Sequence, residues 1–156
     1  MQTIDSIEYL IETHPFLFGL SPEHIRFLRN CATLRRFASQ QQIFHEGDEA
    51  DHFYLIVSGQ VALETFVPGA GMATIETIGP GEALGWSWLF PPFRWHFTAT
   101  SQEPTEVISF EAGRLRDMAE DDRDFRDELL ARVSKMLLNR LENTRMQLID
   151  LYGMRP

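Results

Sequence analysis

Between Leu34 and Phe110 the chain is a succession of short β-rich runs with no helical stretch between them. Ile43–His45, Phe53–Val57, Val61–Val67, Met72–Ile78, Trp95–Thr100 and Thr105–Phe110 carry the β-branched and aromatic residues that suit a half-buried pleated surface. Turn residues punctuate them at Glu46-Gly47-Asp48-Glu49, Ser58-Gly59-Gln60, Pro68-Gly69-Ala70-Gly71 and Gly79-Pro80-Gly81. Parallel strands need long crossovers, usually helical. The region is therefore restricted to an antiparallel sandwich, jelly roll or barrel, with about six to eight strands expected.

Helical patterns flank it. Ile4, Ile7, Leu10 and Ile11 recur at helical spacing until Pro15 interrupts, and Ser21 with Pro22 announces a second helix reaching about Ala32, with Ile25, Phe27 and Leu28 on its apolar side. After Phe110 a short helix is predicted from about Ala112 to Ala119. An acidic break follows at Glu120-Asp121-Asp122, then an uninterrupted helical run from Asp124 to Leu151. The expected fold is mainly β with flanking helices: N-terminal helices over 1–33, an antiparallel β jelly-roll barrel over 34–111, and a short helix plus a long C-terminal helix over 112–156. At 156 residues and 44% hydrophobic, these form one domain with a sizeable core.

A helix of about 28 residues spans roughly 42 Å, longer than a small barrel needs. Leu130, Val133, Leu137, Leu141, Leu148 and Leu151 follow three-and-four spacing along it, with Thr144 in the remaining seam position. The distal half is expected to join two copies into a homodimer; the alternative is that the whole stripe packs on its own barrel.

A net charge of −9 argues against wrapping DNA or an anionic membrane, which requires clustered Lys and Arg. The lone Cys31 can form neither an internal disulfide nor a cysteine-ligated cluster and reads as a buried thiol. With no basic-then-apolar leader and no run of about 18 uncharged apolar residues, the chain reads as soluble and cytoplasmic.

The stretch most suggestive of chemistry runs from Gly79 to Arg94. A carboxylate at Glu82 can accept bonds from ribose hydroxyls, whereas the guanidinium of Arg94 offers a fork of donors to phosphate oxygens. Gly81 and Gly85 let backbone N–H groups approach an anion, and a helical turn starting near Gly85 would aim its N-terminus there. The plainer reading is a hairpin turn packed on a core. Catalysis lacks a constellation: Ser58 and Ser87 have no local base pattern, and the acids at 117–122 read as solvated helix ends. His45, His52 and His96 lack metal-ligand spacing, so neither metal nor cofactor is expected.

Helices, a β region with Gly-Glu and Arg in its sixth and seventh strands, then a short and a long helix: from about residue 14 to 150 the chain resembles the cyclic nucleotide-binding domain family. Phe44-His-Glu-Gly-Asp-Glu-Ala-Asp-His-Phe-Tyr-Leu-Ile-Val-Ser-Gly-Gln-Val61 is similar to its early hairpins. The resemblance implies that Glu82 binds the ribose hydroxyl and Arg94 the cyclic phosphate, within a binding stretch of Gly81, Glu82, Ala83, Leu84, Arg94 and Trp95. Arg140-Leu-Glu-Asn-Thr144 is similar to the part of bacterial catabolite activator proteins where a threonine reaches the adenine amino group, which implies that Thr144 reads the base. The implied ligand is cyclic AMP or cyclic GMP, cyclic AMP foremost.

Two departures bear on the pocket. The Glu82-to-Arg94 interval is slightly long and carries Trp86, Trp88, Phe90 and paired prolines, and Trp95-His96-Phe97 stand where the family places small residues. A large ring at Trp95 could close the site. Haem sensing, which occurs in relatives of the fold, would have to draw an axial ligand from His45 or His52.

The family's transcription factors continue into a winged helix-turn-helix, for which the sequence ending at Gly153-Met-Arg-Pro156 leaves no room. The expectation is a stand-alone, non-enzymatic, dimeric sensor acting through its C-terminal helix on an unknown effector protein, without DNA or membrane. The alternative is a degenerate domain that keeps the fold, binds no nucleotide and serves as a dimeric interaction module.

Overall fold

The computed structural model describes residues 4–153, with side chains from Ile7 onward. The Ile4 side chain and the outermost ends of the first and last expected regions lie outside the described residues. Helix α1 (Ile4–Thr13) is followed by a 3-10 turn at Pro15–Leu17 and by α2 (Pro22–Cys31), with Ser21 and Pro22 at the start of α2 as the sequence predicts. His14 caps the 3-10 turn. Its Nδ1 accepts the Phe16 N–H at 3.2 Å and its Nε2 lies 2.9 Å from the Ile56 carbonyl, so the ring is neutral with the proton on Nε2. Burial holds its pKa below the ordinary value, against the opposing pull of the Ile56 carbonyl.

Eight strands follow: β1 (Ala32–Phe37), β2 (Gln42–Phe44), β3 (His52–Ser58), β4 (Val61–Val67), β5 (Gly71–Ile78), β6 (Ala83–Leu84), β7 (Thr98–Ser101) and β8 (Thr105–Glu111). They form two four-stranded antiparallel sheets, ordered β1-β8-β3-β6 and β2-β7-β4-β5. The arrangement is jelly-roll-like, but the expected closure into a barrel does not occur: among the described residues no ladder joins the two sheets, which pack together in one core. The strand predicted from Trp95 begins only at Thr98. Trp95 instead exchanges backbone bonds with the turn at 47–48, donating to Asp48 O and accepting from Gly47 N, each at 2.9 Å.

Both sheets share one core with the helices: Phe53, Leu55, Leu63, Ile78, Leu84, Trp88, Ile108, Phe110, Leu115 and Phe125 are all fully buried. Helix α3 (Ala112–Asp121) ends where the Asp122 N–H bonds to Met118 O, and α4 (Arg123–Gly153) begins where the Asp122 carboxylate caps the Phe125 N–H at 3.1 Å. The acidic break is thus one residue wide. Phe125, Leu129 and Val133 bury one face of the first half of α4, each worth about 1.5–3 kcal/mol of transfer free energy. Val133, expected in the seam, therefore belongs to the core. Beyond it Met136 and Arg140 still hold the helix against the body of the protein, whereas Leu138, Leu141, Leu148, Ile149 and Leu151 are exposed, Leu141 at 63%. Among the described residues no helix is long and apolar enough to cross a membrane.

Candidate ligand site

The Gly79–Leu84 segment is fixed by the edge of the first sheet. Leu84 and Ala83 pair with Tyr54 and Leu55 of β3, the Ile56 N–H donates to Glu82 O at 2.9 Å, and the Gly81 N–H donates to Ile56 O at 3.0 Å. Gly81 needs to be glycine because its φ is +87° and a Cβ there would lie 3.2 Å from Pro15 Cγ. The Glu82 carboxylate folds back so that Oε2 accepts the Gly79 N–H at 2.7 Å.

Helix α4 supplies the opposite wall and the cations. Arg140 Nη2 donates to the Ala83 carbonyl at 2.6 Å, with Nε 3.8 Å from Glu76 Oε2. Arg132 Nη2 donates to the Phe18 carbonyl at 2.7 Å and Nη1 to Glu128 O at 3.1 Å. Between these tethers lies a cleft of about 450 Å³, within the range of small-molecule sites, whose lining includes Phe18, Glu82, Ala83, Lys135 and both arginines. Arg140 Nη1 and Arg132 Nε are buried and have no hydrogen-bond partner. Burial lowers the Arg140 pKa while the charges of Glu76 and Glu82 oppose that shift; burial likewise raises the Glu76 pKa.

The second half of the Gly79–Arg94 stretch turns into the core and away from this cleft. Trp95 is buried, stacked on Phe44 with ring centroids 3.7 Å apart, and Trp88 is buried against Phe53 at 4.6 Å. Gly85 takes φ +86°, and a Cβ on it would fall 2.5 Å from the Trp95 ring. The expected helical turn near Gly85 is a simple reverse turn, closed by the Leu89 N–H on Trp86 O at 3.1 Å, because two indoles occupy the space beside it. Arg116 of α3 fastens the excursion, donating from Nη1 to Trp88 O at 2.6 Å with its guanidinium 4.3 Å over the Phe93 ring. Ser87, without a local base in the sequence, bonds His96 Nδ1 at 2.8 Å. That serine is fully buried, so the pair ties two loops together and offers no accessible nucleophile.

Of the expected binding residues, Gly81, Glu82 and Ala83 line the cleft. Leu84 and Trp95 are core residues. Arg94 is exposed and reaches the Gly47 carbonyl at 3.4 Å; no hydrogen bond or ion pair joins it to Glu82. Thr144 is exposed one residue beyond Asn143, which lines the cleft. His45 and His52 each bond an adjacent residue, at 2.7 and 3.0 Å. The sequence reading missed Arg132, Lys135 and Arg140 as cleft residues. Their signal was a polar face at helical spacing, 132, 135, 139, 140 and 143, flanking the leucine stripe.

Comparison with known proteins identifies the family and the fold. The family model described as the cyclic nucleotide-binding domain matches residues 34–122. The chain is 27% identical over 80% of its length to the cyclic AMP receptor protein of Thermus thermophilus. It is 26% identical over 85% to the CRP-like cAMP-activated global transcriptional regulator of Mycobacterium tuberculosis. It spans 51% and 58% of the lengths of those two relatives. A cyclic nucleotide-binding domain from Methylobacillus flagellatus shares the fold, with a TM-score of 0.77 over 94% of this chain and 83% of that one at 21% identity. With more than half of its residues matched by that model and the helix-flanked two-sheet arrangement in place, the chain belongs to the cyclic nucleotide-binding domain family.

Proposed function

We propose that the chain is a cytoplasmic, non-catalytic regulatory domain that receives a cyclic nucleotide, cyclic AMP before cyclic GMP, in the cleft between the Gly79–Leu84 turn and α4. The observation that carries this is the pair of buried guanidinium nitrogens without partners, Nη1 of Arg140 and Nε of Arg132, in a cleft that also holds Lys135. Buried donors left unpaired are costly, and an anionic oxygen is the partner they suit. In this reading Glu82 accepts from a ribose hydroxyl, the α4 cations take the phosphate, and Asn143 with Thr144 meets the base at the rim. The phosphate role passes from Arg94 to α4 because Arg94 faces Gly47. Cyclic AMP takes precedence because both curated relatives are named for it.

The signal leaves through α4. Arg140 holds the helix to Ala83 and Arg132 holds it to Phe18, so a ligand competing for either guanidinium changes the set of the helix. The exposed leucines of the distal half form the seam of a homodimer or the contact with an effector protein.

The buried Trp95 favours a second reading, a domain that keeps the fold and the helix but takes no nucleotide. Calorimetric titration with cyclic AMP and cyclic GMP, after mass spectrometry has shown that none co-purified, separates the two. Micromolar binding weakened by replacing Arg140 supports the sensor. Neither heat nor thermal stabilisation at millimolar ligand leaves the interaction module.

A further inference from the structure

On the side of the molecule where α2 meets the α3–α4 junction, His24 is buried among carboxylates. Its Nε2 lies 2.9 Å from Asp122 Oδ2 and 3.8 Å from Glu23 Oε1, while its Nδ1 lies 2.8 Å from Ser21 Oγ and 3.3 Å from Glu128 Oε1. The Glu23, His24 and Asp122 donor atoms all fall within 4.8 Å of one another. In a tetrahedral site with donors about 2.0–2.1 Å from the ion, neighbouring ligand atoms stand about 3.3 Å apart. The observed spacings bracket that value.

Helix-start acids complement the N-terminal dipoles of α2 and α4, which accounts for carboxylates here. An imidazole with a carboxylate at each nitrogen makes two ion pairs while it carries both protons, and becomes a supported ligand once the Nε2 proton is displaced. That pattern matches the outer support of metal-bound histidines, in which one ring nitrogen faces the ion and the other donates to a carboxylate. Two further features make the surroundings of the imidazole acidic. Glu128 keeps Oε2 buried without a partner. The depression around His24 is lined by Glu23, Asp124, Asp127 and Glu128 against one cation, Arg26.

We propose that Glu23, His24 and Asp122 form a binding site for a divalent transition-metal ion of the zinc class, with His24 Nε2 and one oxygen from each acid as ligands and water completing the shell. On binding, the Nε2 proton leaves to solvent and the ion takes its place, while Nδ1–H stays on Glu128 and Ser21. One nitrogen and few oxygens suit zinc, cobalt or nickel rather than calcium or magnesium. Asp122 is fixed from behind because its other oxygen caps the Phe125 N–H. The ion would therefore clip the start of α2 to the start of α4.

The test is titration of the full chain, stripped with chelator and dialysed, with Zn²⁺ by calorimetry and with Co²⁺ by visible absorption. One equivalent per chain is expected, with affinity lowered at least tenfold in Glu23→Gln and abolished in His24→Gln. The positioning residue Glu128 should show a tenfold to hundredfold loss when changed to Gln. Imidazole nitrogen NMR should show metal on His24 Nε2 and a proton retained on Nδ1. The Glu23 side chain is 72% exposed, so its variant folds whatever His24 does. Absence of saturable binding would overturn the site. So would binding that survives in both Glu23→Gln and His24→Gln and disappears when His45 and His52 are replaced.

Discussion

Arg140 of α4 donates to the backbone carbonyl of Ala83 at 2.6 Å, joining two positions 57 residues apart and making one guanidinium both a wall of the cleft and a tether for the helix. Replacing it tests both roles at once. In Arg140→Gln, loss of a charge-assisted bond of about 1.5–3 kcal/mol should weaken cyclic AMP binding about tenfold or more. Amide exchange in the second half of α4 should also quicken in the absence of ligand. Unchanged affinity would move the phosphate site elsewhere.

Gly85 and Trp95 are coupled by contact. Gly85→Ala should destabilise by about 1–3 kcal/mol through the strained φ and the clash with the indole. In a Trp95→Leu background the clash part should vanish, so the cost of the alanine should shrink while the strain part stays. Chemical denaturation of the two single variants and the double variant gives this coupling directly, and an additive cycle would contradict the contact.

Two solvent-facing leucines report on the seam of α4. Leu141 and Leu148 are 63% and 52% exposed, so changing both to glutamate should leave the fold of one chain intact. If the proposed homodimer forms through this seam, sedimentation should show a dimeric parent and a monomeric variant. A dimer that persists in this variant would place the interface on another face.

His14 makes stability depend on pH. Its pKa in the folded chain is depressed, so below the unfolded value of about 6.5 the unfolded chain binds the extra proton first and folding loses ground. That contribution is fully present above about pH 6.5 and is lost as pH falls toward the folded pKa. The stability of the parent minus that of His14→Gln should accordingly decrease between about pH 7.5 and 5. Measuring the difference cancels titrations common to both. A gap that widens on acidification would mean that His14 is charged in the fold.

The elements that announce themselves in the sequence are those with a period of their own. The β-rich run of β4 between its turn residues and the helical stripe of α4 can be read directly, and Pro22 marks the start of α2. β1 is hidden because it follows Cys31 with no turn residue between helix and strand. β6 is two residues long and is a strand only because β3 lies beside it. The same divide runs through the candidate site. Glu82 could be placed because its own turn holds it, but the direction of Arg94 depends on Trp95 finding Phe44, and the importance of Arg140 depends on a carbonyl in a distant strand. Long-range packing decides both, and only the polar face of α4 at helical spacing hints at Arg140.

The division of α4 at Val133 has a mechanical consequence. About 20 residues lie beyond that last fully buried contact, so the arm is about 30 Å long at 1.5 Å per residue, with Arg140 gripping Ala83 about 10 Å along it. A tilt of about 10° at the fulcrum sweeps the tip through about 5 Å, close to the rise of one helical turn. An ångström-scale change where Arg140 meets Ala83 would thus reach the far end magnified to the scale of a whole turn of leucines, enough to realign one seam against another.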